Sequence, residues 1–219
     1  MTRKSPDRRK RAHGEESRQR ILDAAAEIAG ERGYDGTSIA LVSERSGLPA
    51  SSIYWHFEDK DRLIAAVIER SFGRWLEGMR AWTPSRPGTT REELLKSAVE
   101  STANALIAAP DFLRLGLMLA LDRRPDEVSA RTMYLQVRDQ AYRQLLVTFD
   151  SLFGGELDAD GVRDLVILTM AGGDGLFIAH EIDPSVDLRD AFQVLAAAVL
   201  GAAAHLRYRS VHSSKAKKP

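Results

Sequence analysis

One stretch, Thr37 to Phe57 (TSIALVSERSGLPASSIYWHF), constrains this chain more than any other. It reads as a helix, a tight turn and a second helix. Ile39, Leu41 and Val42 supply the apolar face of the first helix, for which Thr37 is the expected N-terminal cap. Ser46-Gly47-Leu48-Pro49 ends it, with Gly47 suited to a positive φ, and Pro49 costs little at the start of the next helix. That second helix carries Ser51, Ser52, Tyr54, Trp55 and His56 against Ile53 and Phe57 as its clear core residues. A core does not need so much hydrogen-bonding surface on so short a helix. The composition suits an element that touches something polar, and the helix-turn-helix spacing suggests a DNA major groove.

Flanking residues complete the unit. From Ser17, the apolar residues Ile21, Ala25, Ile28 and Ala29 recur at helical spacing as far as Gly33, a natural C-terminal cap. Asp59 is placed to cap a fourth helix with Lys60 in its first turn, where an ammonium and free backbone N–H groups together make a phosphate clamp. Residues Ile21-Leu22-Asp23-Ala24-Ala25, Gly33-Tyr34-Asp35-Gly36-Thr37-Ser38-Ile39, Ser46-Gly47-Leu48 and Ile53-Tyr54-Trp55-His56-Phe57, with Lys60 and Leu63, resemble the TetR family of transcriptional regulators. The resemblance covers about the first third of the chain; the remainder matches in being helical and of suitable length. Pro49 and Ala50 stand where the family often has Ser and a polar residue, and Ser51 where it often has Gly, which leaves the base preference open.

This resemblance implies an all-α chain, with an N-terminal three-helix helix-turn-helix DNA-binding domain and a C-terminal helical ligand-binding and dimerisation domain. It also implies DNA contacts from Thr37, Ser51, Ser52, Tyr54, Trp55, His56 and Lys60. Physically, Ser52 can bond a base edge or a phosphate, Tyr54 and His56 can donate to phosphate oxygens, and Lys60 is a point charge for one. Trp55 either meets a thymine methyl or sugar or packs against the first helix. The recognition helix has no Arg, Asn or Gln, so bidentate base contacts are missing and specificity rests on apolar contact, DNA shape and the N-terminal arm.

The formal net charge of zero conceals three regions. Residues 1–20 hold eight Lys or Arg against three acids, and residues 206–219 hold five against none, so the zero total leaves −10 between them. Within 21–62 there are four basic and eight acidic residues. Phosphate attraction must therefore lean on the arm and on helix N-termini. Residues 1–16 are expected to form a disordered basic arm, 17–62 the DNA-binding domain, 63–208 the helical ligand-binding and dimerisation domain, and 209–219 a disordered basic tail of the solubilising kind. The absence of cysteine removes disulfides and thiolate chemistry. No unbroken apolar run of about 20 residues is visible, so a cytoplasmic chain with no membrane partner is expected.

Helix four keeps an apolar stripe through Leu63, Val67, Phe72, Trp75, Met79 and Trp82, and so links two functional halves. Beyond it, helices are expected from Thr89 or Thr90 to Ala108, from Asp111 to Leu121, from about Glu127 to Phe153, from Ala159 to Ile182 and from Leu188 to Arg207. Arg131 and Arg138 are placed on a wet face. The last helix has two apolar stripes, one through Leu188, Phe192, Leu195 and Val199 and one through Val194, Ala198, Gly201 and His205. A helix apolar on two sides is buried on two sides, either in a four-helix homodimer interface or in a monomer core.

A ligand pocket is implied by the resemblance. Trp75, Met79, Trp82, Phe112, Leu115, Met118, Tyr134, Val137 and Phe177 are bulky enough to line one, although such residues equally make ordinary core. Asp174, alone among small residues, is either a pocket carboxylate or half of a pair across a dimer. Asn104 and His180 are weaker candidates. The reading is a homodimeric repressor released from a palindromic double-stranded DNA operator by a small, apolar effector, with no cofactor and no metal. The alternative is a constitutive DNA-binding or protein-interaction module without a small-molecule ligand. An enzyme finds no support: there is no nucleophile elbow and no HExxH, and Gly172-Gly173-Asp174-Gly175 lacks the strand and lysine of a phosphate loop.

Overall fold

The computed structural model describes residues 6–78, 88–121 and 129–216 of the 219-residue chain, with side chains described over 12–77, 88–121 and 129–209. These residues form nine helices: α1 (Pro6–Gly36), α2 (Ile39–Ser46), α3 (Ala50–His56), α4 (Lys60–Gly78), α5 (Arg91–Ala108), α6 (Asp111–Leu121), α7 (Ser129–Phe153), α8 (Ala159–Ile182) and α9 (Leu188–Ala216). No strand occurs among the described residues. The chain divides into two compact units, one of residues 1–73 and 111–137 and one of residues 74–110 and 138–219. The first unit is larger than the 17–62 expected from sequence, because α6 and the start of α7 gather with α1 and the N-terminal part of α4.

Local chemistry sets most helix ends in the first unit. Gly33, at φ 69, turns the chain out of the main run of α1. Gly47, at φ 65, caps α2, and its N–H donates to the Glu44 carbonyl. Both positions lie in the left-handed region that glycine enters without steric cost. Asp59 Oδ1 accepts from the Arg62 N–H at 2.7 Å, capping α4 as its position foretold. Thr37 does not cap α2. Ser38 does, accepting from the Leu41 N–H at 3.2 Å, while the Thr37 hydroxyl turns inward and donates to the Gly33 carbonyl at 2.8 Å.

Ile21, Leu22, Ala25 and Ile28 of α1, Val42 of α2, Ile53 and Phe57 of the α3 segment, and Leu63 and Val67 of α4 close into one buried cluster. A second cluster in the same unit stacks Phe112 between Phe72 at 5.3 Å and Tyr134 at 5.8 Å, in tilted geometry. Gly116 makes room for the Tyr134 ring: a Cβ there would lie 2.1 Å from two ring carbons.

Helical structure extends further toward both ends than expected. Helix α1 begins at Pro6, and α9 runs to Ala216 rather than ending near Arg207. Arg, Lys, Glu, Gln and Ala dominate residues 8–20 and propagate a helix once a packed segment nucleates it, and proline is tolerated in a first turn.

In the second unit, Thr90 opens α5 with a capping box shared with Glu93, and Asp158 caps α8 through the Gly161 N–H at 2.8 Å. Helix α9 packs on α5 and α8. At the α8–α9 contact, a Cβ on Gly172 would fall 2.5 Å from Leu195 Cδ1, so the two backbones approach as closely as glycine permits. Leu188, Phe192, Leu195 and Val199 are buried along one side of α9, whereas Val194, Ala198, Gly201 and His205 all stay exposed. Ile167, Ala171, Gly175, Ile178 and Ile182 form a matching exposed stripe on α8. By length and composition, Ala159–Ile182 and Leu188–Arg209 are each apolar enough to cross a membrane. Neither is an unbroken apolar run, since isolated charges such as Asp164 and Asp174 in α8 interrupt it.

Candidate nucleic-acid interface

Helix α3 has one fully buried residue and presents most of the rest. Ile53 is fully buried, while Tyr54 is 57% and Trp55 76% exposed. Ser51 is exposed, and Ser52 and His56 are half-buried. Trp55 does not pack into the α1 core; its ring meets the edge of His56 at 4.5 Å between centroids. Burial and the Arg18 charge hold His56 below its ordinary value of 6.5, against the pull of Glu15, so the ring is neutral at pH 7 and offers one N–H donor and one acceptor. Arg18 lies 5.4 Å over the Phe57 ring, at the end of α3.

Lys60 opens α4, next along the chain. Its ammonium donates to the Tyr34 carbonyl at 3.2 Å and stands 4.3 Å above the Tyr34 ring, which holds the charge in place beside the helix N-terminus. Thr37 is the one expected contact residue that cannot face a phosphate from here. It is 1% exposed, and its hydroxyl and N–H are engaged by the Gly33 and Tyr34 carbonyls.

Two positions escaped the sequence reading. Tyr34 binds both sides of the α4 start: its carbonyl takes Lys60, and its hydroxyl donates to Asp61 Oδ1 at 3.2 Å. Asp61 in turn accepts from the Ser129 N–H at 2.6 Å and the Ala130 N–H at 3.1 Å, so it caps α7 from a different helix. Burial disfavours the charge on Asp61, but the Ala130, Ser129 and Tyr34 donors outweigh it and hold the carboxyl below its ordinary value. Tyr34 lies inside the Gly33-Tyr34-Asp35-Gly36 match, which was the available signal. For Asp61, a carboxylate in a helix's first turn explains itself locally and hides its distant partner.

A profile of the family described as "Bacterial regulatory proteins, tetR family" matches residues 21–67, the span that builds this surface. Over those residues the chain is similar to the TetR family. Among curated TetR-family relatives, the HTH-type transcriptional regulator AcrR of Shigella flexneri is 32% identical over 98 residues, covering 43% of this chain and 46% of that one. The tetracycline repressor protein class D of Escherichia coli is 26% identical over 122 residues, covering 56% and 52%. The chain thus spans about half the length of these curated relatives. A solved structure of a transcriptional regulator from Pseudomonas aeruginosa PAO1 superposes with a TM-score of 0.73 at 21% identity, covering 89% of this chain and 94% of that one, a likeness of fold.

Phe112, Leu115, Tyr134 and Val137 are buried in the first unit, and Phe112 and Tyr134 fill each other's surroundings, while Met118 is 50% exposed. In the second unit Phe177 is buried and Trp75 half-buried. Met79 and Trp82 lie outside the described residues. Asp174 is not an isolated carboxylate: it receives both guanidinium nitrogens of Arg138, which therefore leaves the wet face expected of it. Asn104 accepts from Arg189 Nε at 2.6 Å, and the His180 ring bonds the Val186 carbonyl at 2.8 Å.

Proposed function

We propose that the chain is a homodimeric transcriptional repressor of the cytoplasm that binds a palindromic operator and leaves it when a small apolar effector binds. The observation that carries this is the exposure of α3. A helix with Ile53 as its one buried residue, presenting Ser51, Ser52, Tyr54, Trp55 and His56, has the form of a recognition helix, with Lys60 as an adjoining phosphate contact. The exposed apolar stripes of α8 and α9 support pairing of two copies through these helices. Dimerisation places two heads at half-sites about 34–36 Å apart. Repression by name is a property of the class D tetracycline repressor; here it is the reading preferred over activation.

Selection of bound sequences from random duplex DNA by the full chain tests this. Recovery of an inverted repeat bound by paired protomers is expected; enrichment of no sequence refutes the reading. One observation favours the alternative of a DNA-binding module without an effector: Phe72, Phe112 and Tyr134, of the composition expected for a pocket wall, pack on one another. Melting with a panel of apolar compounds separates the two, since a ligand at 100 times its Kd adds about 2.7 kcal/mol to stability. A repressor with an effector shows such a rise with at least one compound and loses its operator in the presence of the same compound.

A further inference from the structure

We propose that Tyr34 and Asp61 are positioning residues for the Lys60 contact with the DNA backbone, and that the N-terminus of α7 holds them in place. This rests on the DNA-binding reading above, in which Lys60 meets a phosphate. Lys60, Asp61, Tyr34, Ser129 and Ala130 all belong to the first unit. A lysine carries its charge on a flexible four-carbon stem, so an unheld one loses its freedom only when DNA binds, and affinity is lower for it. Lys60 is held beforehand. Its ammonium donates to the Tyr34 carbonyl at 3.2 Å and lies 4.3 Å from the centre of the Tyr34 ring. An ammonium has three N–H donors, so this one keeps donors for a phosphate.

Both contacts come from one residue, so the place of Tyr34 sets the place of the charge. Tyr34 is 8% exposed and follows the turn at Gly33, and its carbonyl also accepts from the Thr37 N–H at 3.2 Å. The far end of its side chain is tied by the hydroxyl, which donates to Asp61 Oδ1 at 3.2 Å. Asp61 is tied in turn by two backbone donors of α7, the Ser129 N–H on Oδ2 at 2.6 Å and the Ala130 N–H on Oδ1 at 3.1 Å. These N–H groups stand in the first turn of α7, where the helix has no carbonyl of its own to offer them. A chain of contacts therefore runs from α7 through Asp61 and Tyr34 to Lys60. The distribution of charge favours the phosphate contact as well. An acid beside a phosphate-binding cation ordinarily opposes the phosphate, but Asp61 turns its negative charge toward a hydroxyl and the positive end of a helix, and Lys60 keeps its pull.

The test uses the full chain and the duplex it selects. Tyr34→Phe keeps the ring and the carbonyl but cuts the tie to Asp61, and is expected to lower affinity roughly two- to tenfold for each reading head, the range for ordering one long side chain on binding. Because Lys60 keeps its charge, the slope of log K against log salt should stay at its wild-type value. Lys60→Gln, by contrast, should lower affinity and flatten the slope by about 0.9 for each phosphate that is no longer neutralised. Asp61→Asn should weaken binding in the same way as Tyr34→Phe. The deciding readout is the double variant: with Lys60→Gln in place, Tyr34→Phe should cost no further affinity. All titrations are run at a temperature where melting by circular dichroism shows each variant folded. Wild-type affinity in Tyr34→Phe overturns the proposal. So does an equal loss with and without Lys60, which marks an effect through the fold rather than through the ammonium. Unchanged affinity and slope in Lys60→Gln, on a duplex the wild type selects, overturn the phosphate contact and the proposal with it. A wild-type chain that selects no duplex overturns the DNA-binding reading itself.

Discussion

Replacing Asp61 with Asn tests the coupling between the DNA-binding head and α7. The carboxylate accepts three hydrogen bonds, from the Ser129 N–H, the Ala130 N–H and the Tyr34 hydroxyl. An amide keeps one oxygen, turns an NH2 toward donors and loses the charge that favours the α7 N-terminus. Hydrogen bonds to a charged group contribute roughly 1.5–3 kcal/mol each and a helix-end charge about 0.3–1 kcal/mol. Asp61 is half-buried, so water recovers part of this and the net cost should be about 2 kcal/mol, or a drop in Tm of roughly 4–8 °C in a chain of this size. The pH dependence is specific. A carboxyl held below its ordinary 3.8 contributes stability in full above that value and loses it as pH falls through the lower, folded-state value. The difference in Tm between wild type and Asp61→Asn, followed by circular dichroism, should therefore be full at pH 7, begin to shrink near pH 4 and close below it. Equal melting at pH 7, or a gap that persists unchanged at pH 2, refutes the reasoning.

Gly116→Ala places a methyl group 2.1 Å from the buried Tyr134 ring, and thermal melting should show a loss of about 1–3 kcal/mol. Trp55→Ala should leave the melting temperature nearly unchanged, because the ring is 76% exposed, yet weaken binding of the selected duplex in a mobility-shift titration. Val194→Glu sets a charge in the exposed α9 stripe; sedimentation velocity should report a folded monomer where the parent is a dimer. Should the variant stay dimeric, the interface lies elsewhere.

What was legible in the sequence follows rules that act within a few residues. Gly33 and Gly47 turn chains, Pro49 opens α3, Asp59 caps α4 and Pro110 separates α5 from α6, each because backbone sterics or one orphan N–H decides the matter. The errors arise where several residues compete or where partners are distant. Thr37 and Ser38 are adjacent hydroxyls, and either can cap; tertiary packing buries the first and leaves the second to the helix. Asp174 looked unpaired because Arg138 lies 36 positions away on another helix. Charge counts hid how far α1 extends toward the N-terminus, although its residues are good helix formers joined to a packed segment. A pocket could not be told from a core, since Phe112 and Tyr134 have the same composition in either.

The burial of Ile53 alone within α3 bears on how such a protein changes over generations. Positions 51 and 54 are exposed, so substitutions there leave folding almost untouched while rewriting what the helix meets. A duplicated copy could drift to a new operator one residue at a time without passing through an unstable intermediate. Its Tyr34, Lys60 and Asp61 framework would stay in place while the sequence it meets changed.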